Sequence, residues 1–254
     1  MNYRKLGKGK TVVLIHGFGE DSRIWDGTIE ALQDKFQLIV PDLPGTGSSA
    51  LEPGLSMESM ATGIKTILDT EKISTATLLG HSMGGYISLA FAELYPDRLT
   101  ALGLVHSSAY ADSEAKKETR RKSIEFIRKQ GSAAFLEASS PNLFAEQHRI
   151  SMADTIKQLI QRHSYQQPEA LIAFTEAMMA RPDRTEILKK SKFPVLFIIG
   201  RHDQAVPFAD SMQQVHLPEL SYIYILEKSG HMGMLEEPSR FMESLNKFLS
   251  DLPR

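Results

Sequence analysis

Six short apolar runs, spaced by stretches with helical periodicity, constrain this chain more than any other feature. They are "TVVLIHG" (11–17), "QLIVPD" (37–42), "TATLLG" (75–80), "ALGLVH" (101–106), "PVLFIIG" (194–200) and "SYIYIL" (221–226). Each is mostly continuous in apolar residues instead of alternating with polar ones, the pattern of a strand covered on both faces. Between the third run and its predecessor, Met57, Met60, Ala61, Ile64, Ile67 and Leu68 follow the spacing of an amphipathic helix. Phe241, Leu245, Phe248 and Leu249 repeat it near the C-terminus, and "YISLAFA" (86–92) is apolar nearly all round, as a centrally buried helix would be. Strands alternating with helices predict an α/β fold, a mostly parallel twisted sheet with helices on both faces.

One interval breaks the rhythm. From about Ala109 to Ser191 there is no strand signal, only helix signals. Ser113 is placed to cap a helix over "EAKKETRRKSIEFIRKQ", and Ser140-Pro141 and Gln167-Pro168 read as a cap followed by a first-turn proline. Asp183 and Glu186 have capping-box spacing. The organisation expected is a core α/β domain in two parts, 1–108 and 192–254, with an all-helical cap over 109–191. A separate helical domain, or extra covering helices, is the alternative.

Composition removes several classes of function. A formal charge of −2 gives no electrostatic case for binding nucleic acid. The absence of cysteine excludes disulfides, thiolate nucleophiles and thiolate metal sites. The basic start "MNYRKLGKGK" leads only into Val12–Ile15, too short for a signal peptide or for the roughly 20 apolar residues of a membrane span. The expectation is a cytoplasmic protein with no membrane partner; the sequence is silent on oligomeric state.

Gly80-His81-Ser82-Met83-Gly84 fits G-x-S-x-G, a serine on a strained strand-to-helix turn. Bulky neighbours would clash with the adjacent strand and helix, which accounts for the glycines. A strand candidate precedes the motif and an apolar helix follows, the context it requires. A serine hydroxyl is a poor nucleophile until a base takes its proton. Of eight histidines, His231 in "EKSGHMGMLEEP" lies just after the last strand run, at the same sheet edge as Ser82. Asp203 in "GRHDQAVP" also follows a strand and would fix the histidine's tautomer. The chain order is then Ser82, Asp203, His231, with Ser82 Oγ expected to touch the His231 imidazole. Backbone amides of Met83 and of Phe18, in "HGFGED", are the expected oxyanion donors. His16 is expected to brace that loop; His81, His202 and His106 read as packing, solvent-facing or pocket residues.

"LIHGFGED", "PDLPGTGSS", "GHSMGG", "GRHDQAVP" and "SGHMGMLEEP" together resemble the α/β-hydrolase superfamily, in its usual order and over nearly the whole chain. The resemblance implies Ser82, Asp203 and His231 as the triad, Phe18 and Met83 as oxyanion donors, and the helical interval as that family's inserted cap. It implies no cofactor and no metal. Serine at 82 sets the chain apart from similar branches that attack with aspartate, and the short N-terminus leaves room for one leading strand. "LPGTGSS" lacks both the third glycine of a dinucleotide fingerprint and the lysine of a P-loop. Phe126, Phe135, Phe144, Phe174, Met178, Met179 and Met232 are candidate pocket residues, against the alternative that they pack cap to core. The basic run "KKETRRK" reads as a solvated face, or else as a site for an anionic substrate.

The function expected is a serine hydrolase cleaving a carboxylic ester or thioester of a small to medium-sized molecule. The same machinery also suits C–C hydrolysis, lactone opening or a lyase step. A hydrolase-like ligand receptor with slow turnover is the rival from outside the enzyme class.

Overall fold

The computed structural model describes residues 1–252. Its strands are β1 (Tyr3–Leu6), β2 (Thr11–Ile15), β3 (Gln37–Pro41), β4 (Ala76–His81), β5 (Leu99–Val105), β6 (Val195–Gly200) and β7 (Ser221–Leu226). Its α-helices are α1 (Asp26–Leu32), α2 (Met57–Thr70), α3 (Met83–Leu94), α4 (Glu114–Ser139), α5 (Glu146–Ser151), α6 (Ala153–His163), α7 (Pro168–Ala180), α8 (Thr185–Lys189), α9 (Phe208–Met212), α10 (Gly233–Glu236) and α11 (Pro238–Asp251). The six apolar runs supply β2 to β7, and the short leading segment supplies β1.

The sheet order is β1-β3-β2-β4-β5-β6-β7. All pairs are parallel except β1 with β3, where Tyr3 lies opposite Pro41 in antiparallel register. Successive side chains of a strand point to opposite faces, and the core divides accordingly. Val13, Ile15, Leu78, Leu102, Leu104, Phe197 and Ile199 join one apolar cluster with the inner faces of α2 and α3. Val12, Leu14, Leu79, Ala101, Val105, Leu196 and Ile198 join the other with Trp25 and with Phe241, Leu245 and Phe248 of α11. Both faces being covered is why β2 to β6 are mostly apolar along their length.

The chain passes from β2 outward to β3, then crosses back to β4 on the other side of β2. In open α/β sheets a crevice forms at the carboxyl ends of strands where the order reverses this way. The loops after β2 and β4 meet there. Five helices, α4 to α8, fill the connection between β5 and β6. Ser113 caps α4, its side chain accepting the Lys116 amide, and Gly131 interrupts that helix with φ +82°. Pro168 opens α7, while α8 is capped differently from the expected box: Asp183 Oδ1 accepts the Thr185 amide at 2.9 Å.

α3 packs so closely on the sheet that glycine is required at the contact. A Cβ on Gly80 would strike the Gly84 carbonyl and the Gly85 amide, and one on Gly84 would strike the Ile15 carbonyl. Backbone atoms held by the sheet cannot retreat as a flexible side chain could. Gly80→Ala is therefore expected to destabilise the fold by about 1–3 kcal/mol, read as a lower urea midpoint at unchanged slope. An unchanged midpoint would contradict this packing.

Candidate active site

Ser82 occupies the junction between β4 and α3 with φ +51° and ψ −116°, a region that residues with a side chain rarely enter. The surrounding bonds impose that strain. The Ser82 amide donates to the Val105 carbonyl at 2.9 Å, and Ser107 Oγ donates to the Ser82 carbonyl at 2.7 Å. Neighbouring strand and loop thus fix the turn, leaving the side chain to face a cavity of about 480 Å³. Met83 is the first residue of α3, so its amide is one of those a helix leaves without an internal acceptor. Phe18 lines the same cavity from the loop after β2.

His231 lies in the loop between β7 and α10 and also lines the cavity. Its Nδ1 is 2.8 Å from Asp203 Oδ2. Asp203 follows β6 and is held from its other side, where Oδ1 accepts the Ala205 and Val206 amides at 2.9 Å each. Burial works against the Asp203 charge, but the histidines and hydrogen bonds around it hold the carboxyl well below the usual range. Facing an ionised Asp203, His231 Nδ1 is the donor, so the neutral tautomer of the ring has its lone pair on Nε2. Among the described residues the Ser82 hydroxyl takes part in no hydrogen bond, with His231 or any other group. Structure and expectation differ here: the two side chains line one cavity without a hydrogen bond between them. Serine–histidine bonds of this kind often tighten only around substrate.

The base loop is tied down by a residue that the sequence reading passed over. Glu236 Oε1 accepts the Gly230 and Met232 amides at 2.8 and 3.2 Å, and Oε2 accepts the Ala145 amide at 2.8 Å and contacts His148 Nδ1 at 2.8 Å. The His231 amide donates to the Leu143 carbonyl at 2.7 Å. The loop carrying His231 and the helical interval are thereby joined at this edge of the sheet. "LEEP" directly after "GHMGM" was the available signal, since an acid a few residues beyond a loop can bond the loop's amides.

His16 braces the loop carrying Phe18. Its Nδ1 donates to the Gly17 carbonyl at 2.8 Å and its Nε2 accepts the Leu43 amide at 3.1 Å, so it is a neutral single tautomer. Burial lowers its pKa accordingly. His106 ends β5 with φ +48°, and its Nδ1 is 3.4 Å from Asp203 Oδ2. Burial pushes its pKa down to about 4 despite the pull of Asp203, so it is uncharged at neutral pH. Ligand atoms of His106, Asp203 and His231 lie within 4.8 Å of one another. A metal there would have to displace the 2.8 Å bond between His231 and Asp203, so this donor set fits a hydrogen-bonded relay better than a cation.

The pocket expectations divide. Phe135 and Met178 line the cavity, Phe135 edge-on to Phe18 at 6.0 Å between ring centres. Phe174 is buried in one core cluster, and Phe144 and Met232 in the other. Phe126 lies outside the cavity wall, 39% exposed and packed on Phe135. Met179 also lies outside the wall, next to Met178 on α7. An apolar side chain reads the same whether its neighbours are core atoms or an empty cleft, which is why the sequence leaves both alternatives open for all seven. The basic run is mostly a surface network. Lys117 pairs with Glu114 at 2.9 Å and Arg121 with Glu118 at 3.0 Å, while Arg120 Nε meets Asp112 at 2.5 Å. Lys116 lines the cavity, its ammonium donating to the Ala205 carbonyl at 3.0 Å.

Several acids at this edge have depressed pKa values, which sets a stability limit. Burial opposes the Glu20 charge, but His81 and the Gly17 amide hold its pKa near 2, against an ordinary 4.5. Burial likewise opposes Asp21, which His163 and Arg23 hold low, and Asp112, which Arg120 and Arg181 hold low. A depressed carboxyl stabilises the fold above its unfolded pKa and loses that contribution as pH falls through its folded value. The melting temperature is thus expected to fall as pH drops from about 4.5 towards 2. A melting temperature constant over that interval would contradict these pairings.

Residues 10–238 match the model of a family described as alpha/beta hydrolase fold. A thermophilic esterase from Thermogutta terrifontis, solved with malate bound, is 32% identical and superposes with a TM-score of 0.93, over 99% of this chain and 93% of that one. Pimeloyl-acyl-carrier-protein methyl ester esterase of Vibrio cholerae is 26% identical over 95% of each chain. The dihydrolipoyllysine-residue acetyltransferase component of the acetoin cleaving system of Cupriavidus necator is 28% identical over 97% of this chain, which spans 65% of that longer relative.

Proposed function

The chain belongs to the α/β-hydrolase family, and from that premise we propose that it is a serine esterase acting on a carboxylic ester or thioester of a small to medium-sized molecule. The observation that carries this reading is the 2.8 Å bond from His231 to a buried Asp203, at a cavity that also receives the strained Ser82. The names of two relatives, a thermophilic esterase and a methyl ester esterase, support ester chemistry. A cavity of about 480 Å³ is within the range that encloses small ligands. The helices of 109–191 act as a cap, contributing Phe135, Leu136, Leu159 and Met178 to an apolar wall over the reacting carbonyl.

In this mechanism His231 Nε2 takes the proton of Ser82 as Oγ attacks the ester carbonyl. The Phe18 and Met83 amides receive the developing oxyanion. His231 passes the proton to the departing alkoxide or thiolate, giving a free alcohol or thiol and an acyl group on Ser82. A water, deprotonated by the same histidine, attacks the acyl carbonyl; the histidine returns that proton to Oγ, releasing the acid. Asp203 stays ionised and keeps the imidazolium oriented.

A series of p-nitrophenyl esters of increasing acyl length, assayed beside vinylogous diketone substrates, tests the reading. Turnover of short to medium esters with a fall-off at long chains is expected, as the enclosed cavity fills. Turnover of the diketones with none of the esters would overturn it in favour of C–C hydrolysis. No helix among the described residues is long and apolar enough to cross a membrane.

A further inference from the structure

His81, the residue before the nucleophile, is buried with both ring nitrogens engaged. Nδ1 is 3.0 Å from Glu20 Oε2, and Nε2 is 3.0 Å from the backbone carbonyl oxygen of His231. A neutral imidazole has one donor nitrogen and one acceptor nitrogen. A carbonyl cannot donate, and an ionised carboxylate cannot either, so both bonds form together when the ring carries both protons. Glu20 Oε2 also accepts the Gly17 amide at 2.7 Å, which directly precedes the oxyanion donor Phe18. The two side chains therefore link the oxyanion loop to the backbone of the base. The His81 and His231 rings lie 4.9 Å apart, centre to centre.

We propose that His81 and Glu20 form a standing imidazolium–carboxylate pair that positions the oxyanion loop and the loop of the base before substrate is attacked. This rests on the reading of His231 as the general base. Burial opposes a charge on His81, but the charge and hydrogen bond of Glu20 raise its pKa above the ordinary 6.5. Asp203 also favours the charge on His81, while His106, 6.0 Å from His81 between ring centres, and His16 near Glu20 are neutral. Glu20 and His81 are positioning residues, since they act through the loops they tie together.

Two measurements test the pair. In the wild-type protein labelled with 15N-histidine, His81 is expected to hold protons on both ring nitrogens at about pH 6.5, where a free imidazole is about half protonated. A single ring proton on His81 there overturns the proposal. In Glu20→Gln, and in His81→Asn, which keeps an N–H for the His231 carbonyl without the charge, kcat per folded molecule is expected to fall about 10–100-fold with KM little altered. A merely structural role would lower the folded fraction and leave that kcat in place; an unchanged kcat per folded molecule in both variants therefore also overturns it. The ring-proton measurement involves no turnover. Its failure removes the pair and leaves the triad untouched, whereas failure of the triad would appear as an active Ser82→Ala enzyme.

Discussion

Ser82→Ala is expected to lower kcat on a p-nitrophenyl ester by about 10⁴–10⁶-fold while leaving the melting temperature essentially unchanged. Both halves follow from the site. In the proposed mechanism the hydroxyl forms the acyl bond, and what would survive its removal is the catalysis supplied by the oxyanion amides and by binding alone. The same hydroxyl has no hydrogen-bond partner among the described residues, so its truncation leaves no buried group unpaired. Alanine inherits the φ of +51° that serine already tolerates. Stability is expected to stay within about 0.5 kcal/mol, as for substitutions that break no buried contact. A variant that lost activity only by unfolding, or kept near-normal esterase turnover, would contradict the assignment.

Asp203→Asn is the second large effect, and it acts through a tautomer. Oδ1 of Asp203 faces two backbone amides and Oδ2 faces His231. An asparagine must direct its carbonyl at the amides and its NH₂ at the imidazole. His231 Nδ1 then has to accept, which puts the ring proton on Nε2, the nitrogen that the proposed mechanism needs as a lone pair. The expected loss is about 10⁴-fold in kcat with KM little altered, the size of the corresponding change in serine-protease triads. The small change in shape should keep the protein folded. Undiminished turnover by Asp203→Asn would mean that the acid is elsewhere.

Much of this architecture is legible in the sequence because periodicity and loop position are local properties. The continuous apolar runs mark β2 to β7, and the face of α2 read from Met57 to Leu68 is the face the core buries. That Ser82, Asp203 and His231 share one edge is legible because each follows a strand of a parallel sheet, so topology alone brings their loops together. What stays hidden depends on partners distant in the chain. Glu20 and His81 are 61 residues apart, and nothing in "HGFGED" says that its acid bonds a histidine of the next motif. His106 looks like an ordinary strand end until β5 and β6 are laid side by side. The aromatic and methionine residues of 109–191 could not be sorted into wall and core, because that depends on how the helices tilt over the sheet.

The most direct measurement is labelling with a fluorophosphonate probe, which requires an activated serine but no knowledge of the substrate, followed by mass mapping of the modified peptide. The account predicts one phosphonylated residue, Ser82, with labelling abolished in Ser82→Ala and slowed at least about 10³-fold in His231→Ala. A folded protein that takes up no probe, or that carries it on another serine, would contradict it.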